Sequence, residues 1–248
     1  MKKVLTSIIL FSLLSSCTHY YYIPATQNVP LMKEKNEFHI TGGTCIGEND
    51  NIGEVQASFS PIKNGAILVN YLSVSGSNSS SNYESSGYGQ QIELAAGYFK
   101  NISKKIIFEI YSGGGFSTQR HSYGPGFSNL KSDNLFIQPD IGYCSQGFEL
   151  ALSFKYNRNH VNFIEADDKL NRNAYNDLYT IQKNNVWHFI EPGITLKTGW
   201  KILKLQLQYV LSYGINDIAA TRRKDHFSIG LQFVLAKSYI KKNQNEGH

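Results

Sequence analysis

Four carboxylates, Glu93, Glu109, Asp140 and Glu191, fall on the polar faces of segments whose other face is apolar. Gln138, Gln206, Gln208 and the cations Lys155 and Lys204 share that side. Acids gathered away from water can attract cations along a channel. They can also form a proton-sharing pair, because two close carboxylates resist ionising together. The plainer alternative is a packed interior in which acids pair with lysines, since an unpaired buried charge is costly. Histidine offers a second chemistry through His121 (next to Ser122), His160, His188 and His226. Acyl transfer by a Ser–His–acid set needs those groups in contact, and no spacing here forces it. No catalytic residue is expected. No metal site is expected either, because Glu165, Asp167, Asp168 and Asp177 lack the alternate spacing of an EF-hand loop.

Strands must position these residues. Phe148, Leu150, Leu152, Phe154 and Tyr156 alternate with Glu149, Ala151, Ser153 and Lys155, the period of two that puts successive side chains on opposite faces. Leu203 to Leu211 and Phe227 to Leu235 repeat the pattern. Ten strands are expected, over 37–45, 51–59, 66–75, 90–99, 105–118, 134–144, 148–158, 186–198, 202–214 and 226–235. Short turns near 61–65, 100–104, 145–147 and 199–201 alternate with longer polar links over 76–89, 119–133, 159–185 and 215–225. That asymmetry predicts an all-β fold, a ten-stranded antiparallel up-and-down transmembrane β-barrel with its short turns in the periplasm. The polar faces then line the lumen. Glu93, Glu109, Asp140 and Glu191 are expected near mid-depth, with Glu54, Gln56, Gln91, Glu149 and Lys197 also inside. Eight strands make an interior that side chains just fill, so ten predict a packed lumen ahead of a wide pore. Cys45 and Cys144 fall at opposite ends of their strands, which predicts no disulfide between them.

Composition fits this architecture. Charged residues make up only 17%, against 16 tyrosines and 14 phenylalanines, a balance suited to strands with amphipathic rings at a membrane boundary. A net charge of +5 is too small to point to a nucleic-acid partner. After the first three residues, no apolar run is long enough for a membrane-spanning helix.

The amino terminus gives an address. Met1-Lys2-Lys3, an apolar run from Val4 to Leu14, and Leu14-Ser15-Ser16-Cys17 have the layout of an export signal. The closing four residues resemble the lipobox of bacterial lipoproteins. That resemblance implies a signal peptide over 1–16 and a mature chain starting at Cys17, which carries a diacylglycerol and an acyl chain such as palmitate. No other cofactor is implied. Residues 17–36 are then expected as a lipidated periplasmic tether, 37–235 as the barrel and 236–248 as a basic periplasmic tail, with both termini in the periplasm. Tyr20-Tyr21-Tyr22 in the tether would be free to hold an envelope protein partner beneath the bilayer. In the last strand, Ser228, Gly230, Phe233 and Leu235 resemble the outer-membrane assembly signal. Residues 37–235, including Ser60-Pro61-Ile62-Lys63-Asn64 and Glu191-Pro192-Gly193-Ile194-Thr195-Leu196, look like the uncharacterised small outer-membrane barrel proteins of Bacteroidota. The resemblance implies a fold and not an activity. The expected role is a lipid-anchored structural or accessory component of an envelope complex, with outer-membrane lipid around it and no enzymatic function. The alternatives are a narrow transport or ligand-binding barrel, and a periplasmic lipocalin-like lipoprotein whose Leu and Phe faces point inward.

Overall fold

The computed structural model describes residues 20–45, 50–80, 83–145, 147–170, 172–216 and 221–237. The signal peptide, Cys17 and nearly all of the basic tail lie outside these residues. Ten strands form the wall: β1 (Phe38–Cys45), β2 (Asp50–Ile62), β3 (Gly65–Ser80), β4 (Tyr83–Asn101), β5 (Ile106–Tyr123), β6 (Gly126–Ser145), β7 (Phe148–Ala166), β8 (Val186–Gly199), β9 (Leu203–Leu211) and β10 (Asp225–Leu235). Tyr213–Gly214 continues β9 past Ser212 and pairs with β8. Every neighbouring pair is antiparallel, and β10 pairs with both β9 and β1, so the sheet closes. Closure leaves no edge to solvate, which a sheet in lipid requires.

The alternation fixes which face meets lipid. Leu150, Leu152 and Phe154 on β7, Leu203 and Leu205 on β9, and Leu231 and Phe233 on β10 are exposed on the outside. Their neighbours Glu149, Lys155, Gln206 and Gln232 are buried inside. The lipocalin-like alternative is thereby overturned, because it needs the Leu and Phe faces turned inward. The outward apolar stretch from Phe148 to Tyr156, like that from Leu135 to Tyr143, matches the roughly 9–11 residues of a tilted transmembrane strand. Tyr98, Tyr143 and Trp200 mark its short-turn side, and Tyr71, Tyr156 and Tyr209 its far side, as aromatic girdles do.

Five strands overrun this band. β3 to β7 are 16, 19, 18, 20 and 19 residues long. Their excess of seven to ten residues stands on the order of 20 Å above the bilayer once tilt is allowed for. On the other side, β1 has 8 residues and β9 has 9. The rim is therefore a tall wall facing a low one. The links expected over 76–89 and 119–133 are mostly strand, closed by tight hairpins at Ser80/Tyr83 and Tyr123/Gly126. The expected loop 159–185 is the end of β7 followed by helix α1 (Arg172–Lys183). Ala174, Leu178 and Ile181 are buried on one face of α1, at the spacing of an amphipathic helix. Leu178 and Ile181 roof the mouth of the barrel against Leu130, Val161, Trp187 and Phe189.

Candidate functional site: a threaded lumen

Residues 20–36 do not hang beneath the barrel as a tether. They run up through its lumen. Tyr21, Tyr22, Ala25, Thr26, Gln27, Asn28, Val29, Leu31 and Met32 are all buried. At the short-turn end the Asn36 amide donates to the Ser60 carbonyl at 2.7 Å. A turn over Lys33–Asn36 then leads into β1, its amides at Lys33 and Glu34 donating to the Glu37 carboxylate at 2.6 and 3.0 Å. At the tall end the Tyr21 amide donates to the Thr221 carbonyl, and the Arg223 amide to the Tyr22 carbonyl, at 2.8 and 2.9 Å. The amino-terminal and carboxy-terminal ends of the described chain thus lie at opposite mouths, correcting the expectation that both sit on one side. A single extended strand inside a barrel has no ladder partner, so the wall's side chains must satisfy its backbone.

They do so with the residues the alternation placed inside. Glu109 accepts the Leu31 and Met32 amides at 3.0 and 2.7 Å and the Tyr111 hydroxyl at 3.1 Å. Leu31 has a φ of 59°, and this left-handed turn aims two successive N–H groups at one carboxylate, forming a small anion-binding nest. Glu191 accepts from the Tyr22 hydroxyl at 2.6 Å and the Ser212 hydroxyl at 3.0 Å. Gln208 binds both sides of Gln27: its carbonyl oxygen accepts the Gln27 amide and its nitrogen donates to the Gln27 carbonyl, each at 2.8 Å. Gln138 donates to the Asn28 carbonyl at 3.0 Å, and Lys197 to the Val29 carbonyl at 2.6 Å. Wall glycines make the room. A Cβ on Gly142 would lie 2.4 Å from Leu31 Cδ2, and one on Gly193 would lie 2.9 Å from Gln27 Oε1.

The remaining lumen charges pair across the bore. Lys155 Nζ donates to both oxygens of Glu93 at 2.7 and 2.9 Å, reaching from β7 to β4 instead of to Glu191, its cross-strand neighbour. Asn70, Asn134 and Gln91 also donate to Glu93, at 3.2, 2.8 and 3.1 Å. Glu149 takes Lys204 at 2.6 Å and Lys33 of the thread at 3.0 Å. Asp140 is held by Gln138, and Gln206 is buried on the same side. Glu109 and Asp140 face each other in register, near the middle of the outward apolar stretch Leu135–Tyr143. Pairing of the acids with lysines holds for Glu93 and Glu149, whereas Glu109 and Glu191 take their partners from the thread.

At the tall end Tyr22 stacks on Phe189 with ring centroids 3.9 Å apart, and the Tyr21 and Tyr123 hydroxyls meet at 2.8 Å. Burial holds the Tyr21 phenol well above its ordinary range. These tyrosines are inside the barrel, so they do not form a free partner-binding cluster. Between Thr26 and the β2–β4 wall the residual gap is about 10 Å³, room for a single water. Above it, Asn51, Ser75, Gly87, Tyr88 and Arg120 line an open cavity of about 400 Å³ in the tall wall.

One unforeseen constellation joins β1, β2 and β10. His226 Nε2 lies 3.4 Å from Glu54 Oε2 and 3.1 Å from Thr26 Oγ1, with Cys45 beside the ring. Ile52 and Leu72 wall the Cys45 thiol, with Ile23 of the thread packed against them, so it faces side chains and not a cleft. Cys45 lies at the tall end of β1 and Cys144 at the short-turn end of β6, and both are free thiols. His121 packs edge-on against Tyr21, and His160 and His188 point outward to Asp133 and Tyr156. Among the described residues no His, Cys, Asp and Glu side chains converge in a way that could hold a metal ion. In the last strand Ser228 faces inward, Gly230 packs against Gly43 across the β1–β10 seam, and Phe233 and Leu235 face outward.

No protein-family description matches this chain, and no curated protein matches it. Among solved structures it is similar to the outer membrane protease OmpT of Escherichia coli, with 10% identity over 80% of this chain and 93% of that one and a TM-score of 0.48. It is also similar to the translocator domain of the autotransporter NalP of Neisseria meningitidis, with 9% identity, coverage of 79% and 86% and a TM-score of 0.45. The NanC porin aligns with 11% identity over 79% and 98%, at a TM-score of 0.39. At such identities the likeness is one of fold alone. The chain is a closed β-barrel of ten antiparallel strands.

Proposed function

We propose that this protein is a sealed, lipid-anchored outer-membrane barrel that serves as a structural or accessory component of an envelope assembly, without enzymatic activity of its own. One observation carries the reading: the lumen is occupied by the chain's own residues 20–36, bonded at each level to the side chains that a channel would need free. A filled bore argues against solute passage as the primary task. The Cys–His–Glu group at the β1–β10 seam lies under side chains, which argues against acyl chemistry there. The tall wall of β3–β7 stands where other surface components can meet it, and a barrel already held by lipid needs no acyl anchor merely to stay in place.

Two measurements test this. The protein reconstituted in liposomes should pass neither ions nor small sugars above the leak of empty vesicles. Gentle solubilisation from its own outer membrane should yield a discrete particle larger than the barrel, with co-migrating envelope proteins. Solute flux through the wild-type protein, or a lone particle at barrel mass, would overturn the reading.

A further inference from the structure

The outward face of the tall wall changes character where it leaves the lipid. On β5 the outward face from Ile106 to Phe116 has the length of a tilted transmembrane strand. Beyond Phe116 the same face turns to Thr118, Arg120 and Ser122. Arg120 is in register with Tyr88 on β4, and Tyr88 with Ser75 on β3. Lys131 on β6 is in register with Thr118, which makes it a diagonal neighbour of Arg120, about 7–8 Å away between Cα atoms. Along a strand tilted by about 40°, two residues rise about 5 Å. Thr118 therefore stands about 5 Å above the hydrocarbon edge, with Lys131 beside it, and Arg120 about 10 Å above it. A phospholipid headgroup layer is about 5–8 Å deep. Lys131 lies within that layer and Arg120 just above it.

Both cations are exposed, and among the described residues neither has an ion-pair partner. Arg120 lies over the Phe127 ring at 5.0 Å and Lys131 over the Phe163 ring at 5.2 Å. The acids nearest them are engaged elsewhere: Asp133 accepts from Asn162 and Glu165 from Asn129, each at 2.7 Å. Beside Arg120 is the open cavity of about 400 Å³, lined by Tyr88 and the hydroxyls of Ser75, Ser77, Ser86 and Ser122. This is the size of a ligand-binding cleft. Hydroxyls and a guanidinium suit the oxygens of a sugar, and the exposed Tyr88 ring suits its C–H face. Two cations without a counter-charge suit phosphate. Below them on the same strands Phe116 and Ile92, in register with each other, are exposed to the hydrocarbon.

We propose that this face binds a lipid of the outer leaflet whose headgroup is a phosphorylated saccharide. The acyl chains lie on Phe116 and Ile92, the phosphate meets Lys131 and Arg120, and the sugars enter the cavity lined by serines and Tyr88. Depth selects this class of lipid. A single phosphodiester in the headgroup layer reaches Lys131 alone, whereas a headgroup that continues outward in sugars spans both cations and the cavity. The inference rests on the outer-membrane reading above, with the short turns in the periplasm, and adds a lipid class and its place on the wall.

Full-length protein is reconstituted in phosphatidylcholine nanodiscs doped equally with a diphosphorylated diglucosamine lipid and with phosphatidylglycerol. Native mass spectrometry then counts the lipids that stay bound after release from the disc. The wild type should retain the saccharide lipid at least tenfold over phosphatidylglycerol. Arg120→Gln with Lys131→Gln should bring the two to within twofold of each other, and Tyr88→Ala should weaken the preference in part. Lys100→Gln with Lys105→Gln removes the same charge at the exposed short-turn rim and should leave the preference unchanged. Heat-dependent gel mobility verifies that each variant is a folded barrel. Equal retention of both lipids by the wild type, or a preference that survives in the Arg120 and Lys131 double variant, would overturn the site. A preference lost only in the short-turn variant would overturn its placement on the tall wall. A folded chain that does not insert in lipid at all would overturn the membrane-barrel reading itself.

Discussion

Glu109→Ala tests the clamp between wall and thread. In the native protein its carboxylate receives two backbone N–H groups, from Leu31 at 3.0 Å and Met32 at 2.7 Å, in a fully buried setting. Hydrogen bonds to a charged group contribute about 1.5–3 kcal/mol each, and a buried amide left without a partner carries a comparable penalty. The substitution also removes the cost of burying the acid, so the net loss falls near the lower end, about 2–4 kcal/mol for seating this part of the thread. The barrel ladder is untouched, because Glu109 holds its strand partners through its own backbone. The reading is therefore local. Hydrogen exchange in nanodiscs should show the Leu31 and Met32 amides losing protection by roughly 30- to 1,000-fold, since about 1.4 kcal/mol is a factor of ten. Amides of β5 and β6 should exchange as in the wild type. The reasoning fails if Leu31 and Met32 keep their protection in a barrel that remains folded, because the side-chain packing of Leu31 and Met32 would then hold the thread unaided. It fails equally if all amides lose protection together, which would make thread and wall one cooperative unit.

Gly142→Leu should unseat the thread from the wall side, because even a Cβ there comes within 2.4 Å of Leu31; deletion of residues 20–33 should do so outright. Both variants should conduct in planar bilayers and favour cations, since the emptied bore carries Glu54, Glu93, Glu109, Asp140, Glu149 and Glu191 against Lys155, Lys197 and Lys204; an anion-selective current would refute the assignment of these faces. Lys155→Met leaves Glu93 buried without its cation, and should lower the stability to urea in lipid vesicles by about 3–5 kcal/mol. The double variant with Glu93→Gln should regain much of that loss, and equal losses in both would show that the pair does not couple. The two tryptophans report depth: Trp200 is exposed on a short turn and Trp187 is buried under α1. Lipids brominated near the headgroup should quench the former and spare the latter, which single-Trp variants can read by fluorescence.

The lower half of the barrel was legible because lipid on one side and a polar core on the other impose opposite demands on alternate residues. Phe148 to Tyr156 and Leu203 to Leu211 show that contrast, and their lumen partners Glu149, Lys155, Gln206 and Gln208 follow by parity. Above the bilayer the contrast disappears. Ser73, Ser75 and Ser77 face outward on β3, and Thr118, Arg120 and Ser122 on β5, so strands with two polar faces read as loops. α1 carried a signal in Ala174, Leu178 and Ile181, obscured by the Asn-rich and charged residues around them. The thread was the harder case. An extended segment without ladder partners has no period: Val29 and Leu31 share one pocket of the wall, while Met32 sits in another. One hint was available: the run Val29-Pro30-Leu31-Met32 is more apolar than a solvated tether needs to be.

The thread also explains why this lumen can hold so many acids. Among the described residues seven buried carboxylates, Glu37 included, face three buried lysines, and those lysines alone cannot neutralise them. Tilting the balance with more lysines would be one solution. The chain instead supplies backbone amides at Leu31 and Met32, a phenol at Tyr22 and the ammonium of Lys33, each from a segment whose own polar groups would be stranded without those acids. The two surfaces are complementary to the extent that neither is satisfied alone. This mutual need couples the thread to the stability of the wall, while the strand ladder stands without it. An emptied barrel should therefore be less stable than the threaded one as well as leakier. For a segment that merely gates a channel, opening must cost little; here it strips partners from Glu109, Glu191, Gln208 and Lys197 together. Sealing is thus a property of the fold itself: the residues that fill the bore are those whose polar groups the lumen acids and amides satisfy.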